Sequence, residues 1–194
     1  KESNRSIRRK EVADAPANAY FVHELLIEAE VPPLSFVAYQ VVEKTRISAN
    51  KLLAETAAVS IENEAYQVTF EAGELSLIDR KRKAAYQNFL AFEDSGDEGD
   101  TYDYSPPYVD DRYRLNLNGA TCHTIRNQLM EKLIMTGEWQ VAKDLKERQA
   151  KKRTQAIPYE LTIELLKGSR QFQFHLELDN RACDHRMRVL IETP

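Results

Sequence analysis

Cysteine is nearly absent. Only Cys122 and Cys183 occur in 194 residues, far apart and without a C-x-x-C partner. That excludes a disulfide scaffold and a thiolate zinc site, and leaves two reduced thiols as the expectation. No stretch approaches the roughly 18 apolar residues of a spanning helix, and the charged residues 1–10 have no apolar run behind them like that of a signal peptide. A cytoplasmic location without a membrane partner is expected. Basic charge is not in excess either: 27 Lys and Arg face 31 Asp and Glu, a formal net charge of -4. No overall field exists to hold a nucleic acid, so none is expected as a partner. There is no G-x-S-x-G, no phosphate-binding glycine loop and no dinucleotide fingerprint. His23, His123, His175 and His185 fall one to a segment with no H-x-H or H-x-x-x-H spacing, which points to structural or surface roles. His123 beside Cys122 is no thiol–base pair, because neighbours on a strand point to opposite faces.

What is present suits a soluble globular chain: 42% hydrophobic and 30% charged residues. Residues 1–19 are polar, with a basic cluster at Arg5, Arg8, Arg9 and Lys10 that lacks interleaved aromatics or glycines, and they read as a solvated lead-in. In residues 20–31, Phe21, Leu25, Ile27, Ala29 and Val31 share one parity. Residues 36–42 are rich in β-branched and aromatic side chains. Two strands around the Pro32-Pro33 turn are expected. A small polar, alanine-rich connector over 44–58 marks a boundary. Beyond it, Tyr66, Val68 and Phe70 alternate with polar residues, Gly73 supplies a turn and residues 75–78 resume, predicting a hairpin.

The longest period-two run is Ile157, Tyr159, Leu161, Ile163 and Leu165, followed by Lys167-Gly168-Ser169 and then Phe172, Phe174, Leu176 and Leu178. A third run alternates Met187, Val189 and Ile191 with Arg186, Arg188 and Leu190. Three strands joined by turns predict one antiparallel sheet and an all-β class. Residues 138–153 have helical composition but strands on both sides. They are read as a solvated loop or edge excursion, with a short helix or a long hairpin tip as the rivals. Trp139 is read as a partly buried anchor.

Two segments concentrate polar chemistry. Residues 92–107, FEDSGDEGDTYDYSPP, pack carboxylates, glycines and tyrosines together. Such a loop suits sugar recognition, since carboxylates accept from hydroxyls and aromatic rings cover a C–H face. Calcium ligation by Asp94, Asp97 and Asp100 has the wrong spacing for an EF-hand, and an acidic solvated loop or a glycosidase carboxylate pair stay open as alternatives. Residues 179–190, DNRACDHRMRVL, place more arginine, aspartate and histidine in a turn than the turn needs. A guanidinium at a rigid strand end could grip a carboxylate across a domain interface or a sugar hydroxyl.

Together these segments resemble the C-terminal β region of glycoside hydrolase family 38, the α-mannosidases, and most of all its bacterial, mannosylglycerate-hydrolase-like members. The first resembles that group's characteristic loop and the second its N-x-A-x-D-H-R-x-R strand. Ile61-Glu62-Asn63-Glu64 with Tyr66 and Val68 is similar to the opening strand of the family's large β domain. Val31-Pro32-Pro33-Leu34 with Tyr39 is similar to the end of the small sandwich before it. Cys183, Met187 and the lysine-rich 146–153 stretch depart from the pattern. The resemblance implies an antiparallel β supersandwich of galactose-mutarotase-like type over 51–194, cut short at its C-terminal end, preceded by the end of a small β-sandwich and linker over 1–50. It further implies a retaining hydrolase of α-mannosides whose nucleophile and zinc ligands lie in an upstream barrel of the same polypeptide, with neither zinc nor catalytic residues in this chain. Asp100, Tyr102 and Tyr104 then line the substrate, with Arg181 or Arg186 in support. A carbohydrate-binding module or a purely structural β domain without catalytic partner is the alternative.

Overall fold

The structure is a computed structural model that describes residues 27–40, 58–100 and 102–191. The chain divides into two units, Lys1–Ala49 and Asn50–Pro194. In the first, a turn at Pro33 and Leu34 is present, and Ser35 Oγ donates to the Pro32 carbonyl at 2.8 Å. The described residues on either side of it are irregular rather than strand, and Leu34, Phe36 and Tyr39 are exposed. Alternation alone does not make a strand: the backbone needs a neighbour for its N–H and C=O groups. The remainder of both expected strands lies outside the described residues.

The second unit is built from antiparallel strands, as the alternation predicts. β1 (Ala58–Glu62), β2 (Tyr66–Glu71), β3 (Glu74–Asp79) and β4 (Ala84–Gln87) form a meander in sequence order. β2 and β3 are the expected hairpin, closing on Glu71 opposite Glu74. A second sheet has the order β10-β9-β8-β7, from β7 (Thr121–Arg126), β8 (Met130–Val141), β9 (Gln155–Leu166) and β10 (Phe172–Leu178). A third, β11-β5-β6, joins β5 (Leu90–Gly96), β6 (Tyr113–Leu115) and β11 (His185–Ile191). Alternate residues of β9, from Ile157 to Leu165, are buried in one continuous core with Val68, Leu75, Phe92, Leu133 and Met135. Trp139 belongs to this core rather than its margin. It is 3% exposed, stacks on Tyr159 at 4.2 Å, and its indole N–H donates to the Asn116 carbonyl at 2.7 Å. A buried indole needs such an acceptor.

The third C-terminal strand does not join the sheet of β9 and β10: β11 crosses over and pairs with β5, His185 opposite Gly96 and Ile191 opposite Leu90. The connection between β10 and β11 is long enough for the change of sheet. It is tied down by Asp179 N–H donating to the Pro158 carbonyl and Cys183 N–H to the Lys143 carbonyl, at 3.1 and 2.9 Å. On this edge strand Met187 packs against the core, but Val189 and Ile191 are exposed, so the expected inward parity fails along its second half. Residues 138–153 are also not a solvated excursion. The first four complete β8, and a short helix, α1 (Leu145–Gln149), sits at the tip of the β8–β9 hairpin. Asp144 caps it by accepting from Glu147 N–H at 2.9 Å, while the Glu147 carboxylate reaches back to Lys143 N–H at 3.0 Å and accepts from Thr154 Oγ1. This reciprocal arrangement satisfies amides that one helical turn would leave unpaired.

Candidate functional site

β5 carries an unusual load for a strand: Glu93, Asp94 and Ser95 are buried. Leu90 and Phe92 point into the core, and period two carries Asp94 inward after them. A lone buried carboxylate would be strongly penalised, so its surroundings decide whether the fold tolerates it. Asp94, 0% exposed, is met by Arg148 Nη2 from α1 and by His185 Nδ1 from β11, the latter at 2.6 Å. The Tyr113 hydroxyl of β6 donates to the same carboxylate. Burial pushes the Asp94 carboxyl up, yet the hydrogen bonds from His185, Arg148 and Tyr113 and the Arg148 charge outweigh it, and the net direction is down from 3.8. Tyr113 moves the other way, pushed up to about 12 by burial and then by its bond to Asp94 and the charge of that carboxylate. Arg148, 1% exposed, also donates to the Asp111 carbonyl at 2.6 Å. The guanidinium of Arg153 covers the Tyr113 ring at 3.5 Å.

This cluster anchors the acidic loop, which begins at Asp97 rather than at residue 92. Gly96 N–H donates to Asp110 Oδ1 at 2.8 Å and Asp97 N–H to the Asp184 carbonyl at 3.0 Å. A β-carbon on Gly96 would lie 2.5 Å from Pro107 and 2.9 Å from Arg148, so the residue is required by the closeness of the loop exit and the buried arginine. Inside the loop the carboxylates of Asp97 and Asp100 are spent on backbone amides. Asp97 Oδ1 accepts from Gly99 and Ser105 N–H at 2.9 and 3.1 Å; Asp100 Oδ1 accepts from Tyr102 and Asp103 N–H at 2.8 and 3.0 Å. Those two amides hold the Asp100 carboxyl below its usual value. Gly99 faces the Asp103 carbonyl so closely that a β-carbon would sit 1.7 Å from its oxygen.

The five residues expected to meet a substrate fall into two groups. Asp100, Tyr102 and Tyr104 share the loop, and Arg186 joins them: its guanidinium covers the Tyr104 ring at 3.9 Å, and the Arg186 carbonyl accepts from Ser95 Oγ at 3.3 Å. The Tyr102 ring is 91% exposed and Tyr104 39%. Arg181 stands apart and is engaged by Asp179 through two hydrogen bonds at 3.2 and 2.8 Å. Among the described residues Arg186 has no carboxylate partner, whereas Arg188 pairs with Glu93 and Arg112 with Asp110. A cavity of about 760 Å³ between β3, β5, β6 and β11, lined by Leu75, Leu90, Leu115 and Ile191 among others, includes none of the five.

Sequence reasoning missed Asp94, Arg148 and Tyr113 as the support of this loop. By sequence Asp94 reads as part of the loop itself and Arg148 as part of a solvated charged run. One signal was available for each. Asp94 shares the parity of Leu90 and Phe92, and the Asp144-x-x-Glu147 spacing announces a capped helical turn that can hold Arg148 in place.

No family model matches the chain. A curated relative from Halalkalibacterium halodurans, named "Putative mannosylglycerate hydrolase", is 26% identical over an alignment 197 residues long that covers 88% of this chain and 22% of the relative. Among solved structures, an α-mannosidase from Enterococcus faecalis V583 matches 98% of this chain and 24% of its own, at 21% identity and a TM-score of 0.63. A glycosyl hydrolase family 38 protein from Enterococcus faecalis matches 96% of this chain and 25% of its own, at 21% identity and a TM-score of 0.58. The chain thus spans about a quarter or less of the proteins it matches. The resemblance read from the loop and strand motifs is met in sequence by the relative named "Putative mannosylglycerate hydrolase", and the fold of nearly the whole chain is shared with one part of the two solved proteins.

Proposed function

We propose that this chain is a non-catalytic β region of a retaining α-mannoside hydrolase acting in the cytoplasm, and that residues 97–107 line the sugar site of a barrel upstream in the same polypeptide. The observation that carries this reading is the pairing of rigidity and exposure at the loop. Tyr104 is clamped by Arg186, Asp97 and Asp100 hold the backbone in tight turns, and the Tyr102 ring is presented outward at 91% exposure. A bare tyrosine on a stiffened turn offers a flat apolar face and a hydroxyl at little entropic cost on binding, which is what a sugar ring needs. Arg186, without a carboxylate partner, is the better placed of the two candidate arginines to add a hydrogen bond. Arg181 would first have to leave Asp179.

Zinc in the complete enzyme would be held by residues outside this chain. Among the described residues no three His, Cys, Asp or Glu side chains come together as a metal group. The histidine–carboxylate pair under the loop is closed by Arg148. No helix among the described residues is long and apolar enough to cross a membrane. The test is kinetic. In the complete protein, Tyr102→Phe is expected to lower turnover of an aryl α-mannoside or raise its KM while the melting temperature stays put. Unchanged kinetics would reduce the region to a structural buttress.

A further inference from the structure

The cluster beneath the loop constrains a proton. His185, its side chain 4% exposed, faces Asp94 Oδ1 with Nδ1 at 2.6 Å and Asn180 Oδ1 with Nε2 at 3.1 Å. An ionised carboxylate only accepts, and Arg148 and the Tyr113 hydroxyl, both donors to Asp94, keep that group ionised. The Asn180 oxygen is identified as an acceptor by a second contact, since Ala182 N–H donates to it at 3.1 Å. Turning the amide over would set an NH₂ group against that N–H. Two acceptors around one imidazole call for two N–H donors.

We propose that His185 is held as the imidazolium, and that this cation is a positioning residue that pins the 179–184 turn to the root of the 97–107 loop. The charged groups around it come from each neighbouring element: Asp94 from β5, Arg148 from α1, the Tyr113 hydroxyl from β6, and Asp184 and Arg186 beside it in sequence. Arg148 opposes a second cation, while the two acceptors favour it, and Arg186 is turned away onto Tyr104. The location makes the charge consequential. His185 is the register partner of Gly96, where β5 ends, and the next loop amide, Asp97 N–H, donates to the Asp184 carbonyl at 3.0 Å. Asp184 itself is held at φ 51°, a left-handed backbone that a non-glycine residue keeps only when its surroundings enforce it. Removing the second ring proton would set a lone pair against either Asp94 or Asn180 and release one end of the pin.

Only the role of the pin in sugar handling rests on the function proposed above; its protonation and its hold on the loop do not. The first measurement is the ¹⁵N spectrum of the histidine-labelled chain at pH 7, with the His185 signals among four histidines assigned by loss in His185→Gln. If that variant does not fold, single Gln replacements of the other three assign them by elimination. Both His185 ring nitrogens are expected in the protonated range; a pyridine-type nitrogen on that ring overturns the proposal. The second is cleavage after the exposed Glu98 by a glutamate-specific protease. Loss of the pin in His185→Gln, or of its outer acceptor in Asn180→Ala, is expected to speed this cut about tenfold, the effect of one charge-assisted hydrogen bond on local opening. Unchanged cleavage in both variants overturns the pinning. If cleavage accelerates while Tyr102→Phe leaves the kinetics of the complete enzyme untouched, the pin stands and the sugar-site reading falls.

Discussion

The sheet of β7 to β10 and the sheet of β11, β5 and β6 use the same antiparallel hydrogen bonding but fill their inner faces differently. β9 buries Ile157, Tyr159, Leu161, Ile163 and Leu165 in succession. β5 follows Leu90 and Phe92 with Asp94, and completes that face with a guanidinium, an imidazole and a phenol from three other elements. Apolar burial is non-directional and fixes the fold. The charged cluster is expected to stabilise little in net terms, because desolvation offsets its Coulombic gain, and the acidic loop is rooted in it.

The largest effect is expected at Arg148. Arg148→Met leaves Asp94 buried without its guanidinium and should cost about 4 kcal/mol in urea unfolding, and adding Asp94→Leu to it should recover much of that loss. Leu161→Ala, in the apolar sheet, should cost about 3 kcal/mol and leave cleavage at Glu98 unaffected apart from the global term. Acid sharpens the contrast. Because the folded Asp94 carboxyl titrates below its ordinary 3.8, its ionised form contributes fully above that pH, and the contribution is lost as pH falls through the depressed value. The stability gap between wild type and Asp94→Asn should therefore close below about pH 4, while the cost of Leu161→Ala stays constant across the range. The smallest effect is expected for Tyr104→Ala, which removes a half-exposed cation–π contact and should change stability by less than about 1 kcal/mol, yet speed cleavage at Glu98.

These differences also explain what could be read in the sequence. A buried strand face repeats every second residue, so the alternation in 157–165 and 172–178 located β9 and β10 and their turn from neighbours alone. The partner of β11 is set instead by pairing with β5, some 91 residues away at Arg186 and Ser95. No local pattern in MRVLI distinguishes a central strand from an edge strand whose outer residues face water. Leu34, Phe36 and Tyr39 show the reverse case, an apolar and aromatic stretch that is not strand in its described residues. The loop tyrosines, Asp100 and Arg186 were legible as a motif. Their scaffold was not, because an arginine in KDLKERQAKKR has the composition of a solvated run, and only the cap at Asp144 and the carboxylate waiting at Asp94 draw Arg148 inside.

The most direct test of the account is a crystal structure of the complete protein with a bound, non-hydrolysed α-mannoside analogue. The Tyr102 hydroxyl or ring is expected in contact with the sugar, within about 3 Å for a hydrogen bond, with the loop still rooted on Asp94 and His185. A sugar bound in the barrel with residues 97–107 directed to solvent, away from it, would contradict the claim that this loop serves the substrate.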